Sequence, residues 1–322
     1  MRLDVIEQAA LANLPQAQDA TNSCHSWSCA AIGRAAVLAL YDELILSPKP
    51  GLVSLLDSGS HKDMDARTFY RSLFALRHYF IDMAALGQQR VPFSQLQTRG
   101  IAAEARMQAA TGGINTHRGA IFMLGLLCAA AGACLPFRTL TPATIRDQLQ
   151  TLWGAALQAR SLQVSSALPG GRAVRRYGLQ GANQEAAQGF PTLFETAWPA
   201  WQVAVKTLSP HSTPVAEQKL QTVGLHTFFS VMAVLDDSNL AHRGGLEGLH
   251  YARRCAIHYL QAGSAFTPDA VQRAQTVHQA FMERRLSPGG AADTLSACCW
   301  LDRLQAYAPG CASQRRPTGA WL

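Results

Sequence analysis

The stretch GAIFMLGLLCAAAGACLPF, from Gly119 to Phe137, contains no charged residue and lies between Arg118 and Arg138. Its length approaches the roughly 20 apolar residues that a membrane-spanning helix needs. Its richness in Gly and Ala and its lack of an aromatic belt favour a helix that is buried on all sides within a globular protein. We therefore predict a central buried helix, no membrane span, and a chain packed around this helix.

Helical periodicity extends outward from this stretch over most of the chain. From Arg67, apolar side chains from Phe69 to Ala84 fall on one stripe, which predicts one amphipathic helix. No segment alternates apolar and polar residues as a half-buried strand does, so the predicted class is all-α. Further helices are predicted over residues 27–46, 95–110, 118–134, 142–163, 192–208, 214–235, 245–262, 268–286 and 291–307, three of them beginning with a capping Thr followed by Pro at Thr141-Pro142, Thr213-Pro214 and Thr267-Pro268.

One domain is expected over residues 1–322, because no linker, low-complexity tract or internal repeat divides the chain. The segment from Ser165 to Gly181 has the fewest helical features. Its Pro-Gly-Gly and its arginines at Arg172, Arg175 and Arg176 predict a mobile, positively charged loop.

Charge and cysteine content exclude several classes of protein. Lys and Arg total 28 against 21 Asp and Glu, a net charge of +7 that suits anionic ligands. No run of basic residues is dense enough for a nucleic-acid arm. The opening MRLDVIEQAA lacks the apolar core of a signal peptide, which favours a cytoplasmic location. The eight cysteines have neither a disulfide spacing nor a complete zinc ligand set.

Four glycine-containing turns are each predicted to precede a helix: SPKPG from Ser47, TGGINTHRG from Thr111, HRGG from His242 and SPGG from Ser287. A helix start offers unpaired N–H groups and a positive dipole end, and glycine lets a phosphate approach the backbone. Any one of these turns could simply join two packed helices, and none is a P-loop or Rossmann fingerprint. Together they predict a shared polyphosphate pocket formed by Lys49, Gly51, Thr111, Gly112, Gly113, Asn115, Thr116, Arg118, Asn239, Arg243, Gly244, Gly245, Ser287, Gly289 and Gly290.

Acidic residues lie beside these turns. Glu43 precedes SPKPG, Asp63 lies in GSHKDMD and Asp237 precedes HRGG, and we predict all three as Mg²⁺ ligands. Mg²⁺ takes oxygen ligands and bridges carboxylates to substrate phosphates. Glu185, in ANQEAAQGFP, is also predicted to be functional, whereas Asp65 and Asp236 are interpreted as loop acids or helix caps.

Six blocks of sequence resemble the family of triphosphoribosyl-dephospho-CoA synthases, which make the prosthetic-group precursor of citrate lyase and malonate decarboxylase. They run from Glu43 to Ala297. One departure is Asn183-Gln184, where the family often has an Arg-Gly pair. The block DDSNLAHRGG is closer to the malonate decarboxylase branch. The blocks are ELILSPKPGLV, GSHKDMD, TGGINTHRGAIF, QEAAQGFP, DDSNLAHRGG and SPGGAADTLSA.

The resemblance implies that the 2′-hydroxyl of 3′-dephospho-CoA attacks the anomeric carbon of ATP. Adenine leaves and the triphosphate stays on the transferred sugar, which gives 2′-(5″-triphosphoribosyl)-3′-dephospho-CoA for an acyl carrier protein system. Displacement at an anomeric carbon passes through an oxocarbenium-like state and needs a base and an acid. We predict Glu185 or Asp237 as base and stabilising charge, and His61 or His117 as acid.

Two other classes of function stay open at this stage. A Mg²⁺-dependent phosphotransferase or hydrolase would use the same turns but would release ADP or phosphate. A non-catalytic partner that binds CoA or a nucleotide would tolerate the loss of the acidic residues. The sequence does not fix the oligomeric state, and a homodimer is compatible with it.

Overall fold

The computed structural model describes residues 27–137, 140–162, 169–208 and 216–306. These ranges contain helices and turns and no strand, which confirms the predicted all-α class. A π-helical turn spans Thr192–Ala197, and 3-10 turns span Leu135–Phe137 and Ser264–Phe266. The α-helices are α1 Cys29–Ile45, α2 Ala66–Leu76, α3 Tyr79–Gln88, α4 Phe93–Thr111, α5 Arg118–Cys134, α6 Pro142–Ser161, α7 Pro169–Tyr177, α8 Ala182–Ala187, α9 Trp198–Leu208, α10 Ala216–Val234, α11 Ser238–Gln261, α12 Ala270–Arg284 and α13 Gly289–Ala306.

Helix α5 is the central helix, and its bounds are those predicted. It packs most extensively against α3 and also contacts α1, α4, α6 and α13. Arg118–Phe137 is the one helical stretch within the described ranges that is long and apolar enough to cross a membrane, and 72% of its apolar window is buried in the protein. Helices α3 and α5 approach each other closely at Gly87 and Gly132, because a Cβ at either position would overlap a backbone carbonyl of the other helix.

The single helix predicted from Arg67 to Ala84 is wrong: two helices, α2 and α3, occupy this segment. The chain turns at Arg77 and His78, where the Arg77 N–H donates to the Phe74 carbonyl. The turn directs α2 mainly against α4 and directs α3 against α1 and α5. Packing therefore overrides a continuous apolar stripe, because the two halves pack against different neighbours.

The predicted helix starts have mixed outcomes. Thr141 caps α6 in a reciprocal arrangement with Thr144, and Asp65 caps α2, both as predicted. The prediction for Thr267 is wrong, because α12 begins at Ala270 after Asp269. The pair Thr213-Pro214 lies outside the described residues.

The loop predicted between Ser165 and Gly181 is wrong over most of its described length, where α7 forms. Arg175 and Arg176 lie in the last turn of α7, where positive charge complements the helix dipole. This helix packs against α11, and Gly170 lies beside Ser238. Residues 163–168, at the beginning of the predicted loop, lie outside the described ranges.

Candidate active site

A cavity of about 900 Å³ lies where the first turns of α5, α7, α11 and α13 converge. Each helix start exposes unpaired N–H groups and the positive end of its dipole. TGGINTHRG leads into α5 and SPGG leads into α13, as predicted from the sequence. The first-turn residues that line the cavity include Arg118 and Gly119, Gly170 and Gly171, Ser238 and Asn239, and Gly289 and Gly290.

Just over half of the residues predicted as functional meet at this cavity. Those that line it are Glu43, His61, Asp63, Asn115, Thr116, His117, Arg118, Asn239, Arg243, Ser287, Gly289 and Gly290. Those that are not in its lining are Lys49, Gly51, Thr111, Gly112, Gly113, Glu185, Asp237, Gly244 and Gly245.

The SPKPG segment forms a packed turn and not a helix start, because the next helix begins only at Ala66. Lys49 is completely buried, and its Nζ lies 2.7 Å from Glu43 Oε1. Burial lowers the pKa of Lys49, while the charge of Glu43 acts in the opposite direction. Gly51 has a φ of 68°, and beside it His278 Nδ1 donates to the Lys49 carbonyl at 2.8 Å. The prediction that this segment leads into a helix is therefore wrong.

HRGG lies at a break within α11, so it precedes the helical segment after Gly245, as predicted, and it also ends the short segment that begins at Ser238. Gly245, with φ 64° and ψ −165°, interrupts the helix, and Gly244 packs against Leu286. Two residues of this segment, His242 and Arg243, line the cavity. In TGGINTHRG, Thr111 donates to the Met107 and Ile114 carbonyls and thereby closes the end of α4.

Asp237 joins the starts of two helices. Its Oδ1 accepts the N–H groups of Asn239 at 2.8 Å and Leu240 at 3.3 Å, and its Oδ2 accepts that of Ala291 at 3.2 Å. Only 2% of the residue is exposed, and burial raises its pKa although the N–H donors act to lower it. The carboxylate thus holds the first turns of α11 and α13 together.

Glu185 is also satisfied by the protein. Its carboxylate accepts a hydrogen bond from the Thr192 hydroxyl at 3.0 Å and from the Thr192 N–H at 3.3 Å. Burial raises its pKa. Its neighbours Asn183 and Gln184 line the cavity, at the position where the sequence departs from the family pattern.

The three predicted Mg²⁺ ligands do not form one cluster. In the part of the chain that the structure describes, no three His, Cys, Asp or Glu side chains converge as metal ligands. Glu43 is paired with Lys49 and Asp237 accepts backbone N–H groups. Asp63 lines the cavity with 62% of its side chain exposed, so its carboxylate is accessible to a cation.

His61 is held in one tautomer by its neighbours. Arg243 donates to His61 Nδ1 at 3.0 Å, so the proton resides on Nε2, which lies 2.9 Å from Ser287 Oγ. Burial and the charge of Arg243 lower the pKa of His61 to about 4. His61 is therefore neutral at pH 7, its N–H is directed to Ser287, and the Ser287 hydroxyl keeps its own proton for a ligand.

His117, the residue before α5, has one ring nitrogen without a partner. Its Nδ1 lies 2.6 Å from Ser72 Oγ, whereas its buried Nε2 has no hydrogen-bond partner among the described residues. Burial and the charge of Lys49 lower the pKa of His117 to about 3. This residue brings a neutral imidazole to the cavity wall.

Sequence reasoning missed Asp293, a cavity-lining carboxyl group on α13. It accepts a hydrogen bond from the Ala120 N–H, and Gly119 allows the approach because a Cβ there would overlap Asp293 Oδ2. Loss of hydration, followed by the charges of Glu43 and Asp237, raises its pKa well above the usual range. Its sequence signal is an acid about one turn after Gly289-Gly290 in an otherwise uncharged segment.

Further cationic side chains that were not predicted also line the cavity. They are Arg160 at the end of α6 and Arg175 on α7. Arg118 itself pairs with Glu104 of α4, and its N–H donates to Asn115 Oδ1 at 3.1 Å. The cavity therefore combines helix starts, arginines from four helices and a few buried neutral groups, an arrangement suited to polyanionic ligands.

Comparison with known proteins agrees with this chemistry. Residues 29–311 match the family model CitG, ATP:dephospho-CoA triphosphoribosyl transferase. The chain is 35% identical over 269 residues to a probable 2-(5''-triphosphoribosyl)-3'-dephosphocoenzyme-A synthase of Acinetobacter calcoaceticus, covering 83% of this chain and 88% of the relative. It is 37% identical over 282 residues to a protein of the same description from Vibrio cholerae serotype O1 (strain M66-2), covering 84% and 86%.

No solved structure matches the chain at a significant level. The family match covers most of the chain, including every helix start at the cavity. The chain is an enzyme, a transferase, and belongs to the ATP:dephospho-CoA triphosphoribosyl transferase family.

Proposed function

We propose that the cavity is the active site in which the triphosphoribosyl group of ATP passes to the 2′-hydroxyl of 3′-dephospho-CoA. The observation that carries this proposal is the convergence of four helix N-termini and of Arg118, Arg160, Arg175 and Arg243 on one cavity. Its volume of about 900 Å³ lies within the range of small-molecule sites. Both substrates are polyanions, and charge-assisted hydrogen bonds from arginine and helix N–H groups bind phosphate strongly.

In the proposed reaction, the bond between the ribose anomeric carbon of ATP and adenine breaks, and a bond to the acceptor 2′-oxygen forms. The acceptor hydroxyl loses a proton and adenine gains one. The triphosphate remains on the transferred ribose. Positive charge develops on the sugar in the transition state, so negative charge near the ribose lowers the activation barrier.

His117 and Asp293 suit the two proton transfers. His117 Nε2 has no partner among the described residues, and when Nδ1 donates to Ser72 Oγ this nitrogen can accept a hydrogen bond from the acceptor hydroxyl, which supports a role in positioning that hydroxyl and taking its proton. Burial and the charges of Glu43 and Asp237 raise the pKa of Asp293, which favours the protonated carboxyl group and supports a role as acid toward adenine. Asp293 contacts Gly119 and Ala120, the residues that follow His117 by one helical turn or less. These roles reverse the expectation of a carboxylate base and a histidine acid.

Arginine and helix N–H groups elsewhere in the cavity suit the triphosphate. Arg243 and the Ser287 hydroxyl lie beside the starts of α11 and α13, which supports phosphate binding there. We propose that Mg²⁺ binds with the substrate, because Asp63 is accessible and Mg²⁺ is commonly held by one or two carboxylates together with substrate phosphates. Bound Mg²⁺ would neutralise part of the triphosphate charge.

We further propose that the product serves the malonate decarboxylase acyl carrier protein, which the block DDSNLAHRGG supports by its similarity to that branch. Both substrates are cytoplasmic metabolites, so we propose a cytoplasmic enzyme. All helices from α1 to α13 except α7 contribute residues to one hydrophobic core, which supports a single domain. Deletion of the gene should abolish growth on malonate and leave growth on citrate unchanged, and the reverse result would favour the citrate lyase system.

The activity is tested by incubating the purified protein with ATP, Mg²⁺ and dephospho-CoA and separating the products by chromatography. Free adenine should form only when both substrates are present, because the second substrate supplies the nucleophile. Coenzyme A should be a poor acceptor, since its 3′-phosphate adjoins the reacting hydroxyl. Release of ADP instead of adenine would indicate a phosphotransferase and would overturn the proposal.

A further inference from the structure

The cavity has a long apolar extension along α4, which we call the apolar arm. It is lined by one face of this helix, at Phe93, Leu96, Gln97, Gly100, Ile101 and Glu104. Their spacing of three and four residues places all six on one side of a helix. At about 1.5 Å per residue, the arm extends for about 16 Å along α4.

The remaining walls of the apolar arm come from α2, α3 and α5. They present Phe69, Tyr79, Met83, Phe122 and Leu126. The Tyr79 hydroxyl donates to the Ile121 carbonyl at 2.9 Å, so its polar group is already used. Gln97 is the polar side chain midway along the α4 face, and none of its amide atoms hydrogen-bonds a described residue.

Charge is concentrated at the inner end of the apolar arm. There Glu104 of α4 pairs with Arg118 at the start of α5, next to His117 and the proposed reaction centre. Arg160 also lines the cavity and its Nε has no hydrogen-bond partner within the described ranges. The arm thus has one cationic end and one uncharged, apolar end.

This distribution matches the acceptor substrate better than it matches ATP. In dephospho-CoA, the reacting ribose connects through a pyrophosphate to pantetheine, an uncharged chain with two amides and a dimethyl group. Thirteen atoms from the ester oxygen to the sulfur span about 15 Å when extended like a peptide backbone. An adenine ring would fill only part of such an arm.

We infer that the apolar arm binds the pantetheine chain of dephospho-CoA, with Arg118 and Arg160 at the adjoining pyrophosphate. The inference rests on the proposed function, since it places the acceptor in the same cavity. Gln97 lies where it can hydrogen-bond a pantetheine amide. The arm therefore distinguishes the acceptor from ATP, which has no comparable chain.

The test is Gly100→Leu, which places a side chain inside the arm. A Cβ at Gly100 would have only the Tyr79 hydroxyl within 4 Å, at 3.6 Å, so the backbone can accept the substitution. We expect the KM for dephospho-CoA to rise by about tenfold or more, as overfilling a packed site does. The KM for ATP should change by less than about twofold. Ala102→Leu, on the exposed face of the same helix, is the matched control and should behave as the wild type.

Each other outcome has one meaning. An increase in the KM for ATP alone would assign the arm to the adenosine of ATP and would overturn the inference. Unchanged values for both substrates, or equal increases, would also overturn it. Absence of adenine from the wild-type reaction would instead overturn the proposed function.

A second measurement needs no variant. We expect 4′-phosphopantetheine, which lacks the adenosine, to inhibit the wild type competitively against dephospho-CoA and not against ATP. Calorimetry should detect its binding to the wild type and a loss of about tenfold or more in affinity in Gly100→Leu. Failure of 4′-phosphopantetheine to bind, or competition with ATP, would contradict the inference.

Discussion

At the level of single residues, the polar groups around the cavity differ in whether the protein satisfies them. The carboxylate of Asp237 accepts three backbone N–H groups, and that of Glu185 accepts two hydrogen bonds from Thr192. His117 Nε2 and Thr116 Oγ1 are buried and have no partner in the part of the chain that is described. A buried polar group left unpaired costs about 1–3 kcal/mol, so a ligand that bonds to it gains binding energy. Because Thr116 and His117 also line the cavity, we expect substrate to bond to these two groups.

Asp293→Asn should separate activity from stability. We expect turnover to fall by about 10²- to 10⁴-fold, because an amide cannot donate the proton that leaves with adenine. Stability at pH 7 should not decrease, because the pKa of Asp293 is raised by burial and by Glu43 and Asp237. The ordinary pKa of an aspartate is 3.8. Above this pH the unfolded chain loses the proton of Asp293 more readily than the folded protein does, so the folded state becomes less stable as the pH rises.

Adenine release and thermal melting check this prediction, with Glu283→Gln as the control because the Glu283 side chain is 76% exposed. The melting temperature of Asp293→Asn should exceed that of the wild type by more at pH 8 than at pH 5. Turnover within about threefold of wild type would exclude Asp293 as the acid, since it falls far short of the expected loss.

Arg243→Ala should weaken binding of ATP. Arg243 contacts the carbonyls of Ser60 and Arg285 at 3.3 Å and His61 Nδ1 at 3.0 Å, so it also positions the His61–Ser287 pair. A lost charge-assisted phosphate contact corresponds to about 1.5–3 kcal/mol, or an increase of about 10- to 150-fold in Kd. Calorimetry with ATP measures the effect, and Arg284→Ala on α12 is the control. If Arg243→Ala melts lower but binds ATP normally, the arginine is structural.

At the level of helices, the sequence predicts those elements whose boundaries depend on local chemistry. The bounds of α5 follow from an uncharged stretch between arginines, and Thr141 caps α6 as its Thr-Pro pair indicates. The break between α2 and α3 could not be predicted, because Arg77 and His78 are not helix breakers and the turn depends on contacts with α1, α4 and α5. The role of Asp237 depends in the same way on α13, which lies far along the chain.

The close contact of α3 with α5 makes a prediction at this scale. Gly87→Ala should destabilise the protein by about 1–3 kcal/mol, because its Cβ would overlap the Ala129 carbonyl and the two helices would have to separate. Gly154→Ala on α6 is the matched control. A Cβ there meets only Gln150 Cβ, at 3.9 Å, so the substitution should stabilise the helix by about 0.5–1 kcal/mol. Urea denaturation measures the free energy of unfolding of both variants. Equal changes in the two variants would show that α3 and α5 can move apart without loss of stability.

At the level of the whole molecule, the cavity depends on segments that are distant in sequence. TGGINTHRG, DDSNLAHRGG and SPGG each contribute residues to it, so charged glycine-rich turns in the sequence predict much of the cavity lining. They do not predict Asp293 or the apolar arm. The carboxyl group of Asp293 becomes distinctive only when α5 and Glu43 approach it, and the α4 face looks like an ordinary amphipathic stripe in the sequence. The charges of a site can be predicted from local sequence, whereas its depth and proton positions require the packed fold.

The buried histidines make the stability of the folded protein depend on pH. The pKa is about 4 for His61 and about 3 for His117, below the ordinary value of 6.5, so the folded state binds fewer protons than the unfolded chain. Their contribution to stability is therefore complete above pH 6.5 and is lost as the pH falls toward the folded values. Asp293, with its raised pKa, acts in the opposite direction, so a variant must isolate the histidine effect.

The variant His61→Asn isolates the effect of His61 protonation on stability. Asparagine can accept a hydrogen bond from Arg243 and donate one to Ser287, but it does not titrate. The free energy of unfolding of the wild type, relative to that of His61→Asn, should fall by about 1.2 kcal/mol per pH unit between about pH 6 and pH 4.5. Urea denaturation at a series of pH values measures this difference. A wild-type curve parallel to that of the variant would mean that the pKa of His61 is the same in the folded and unfolded states. Burial and Arg243 would then not hold the ring neutral, and the assignment of the Nε2 proton to Ser287 would lose its basis.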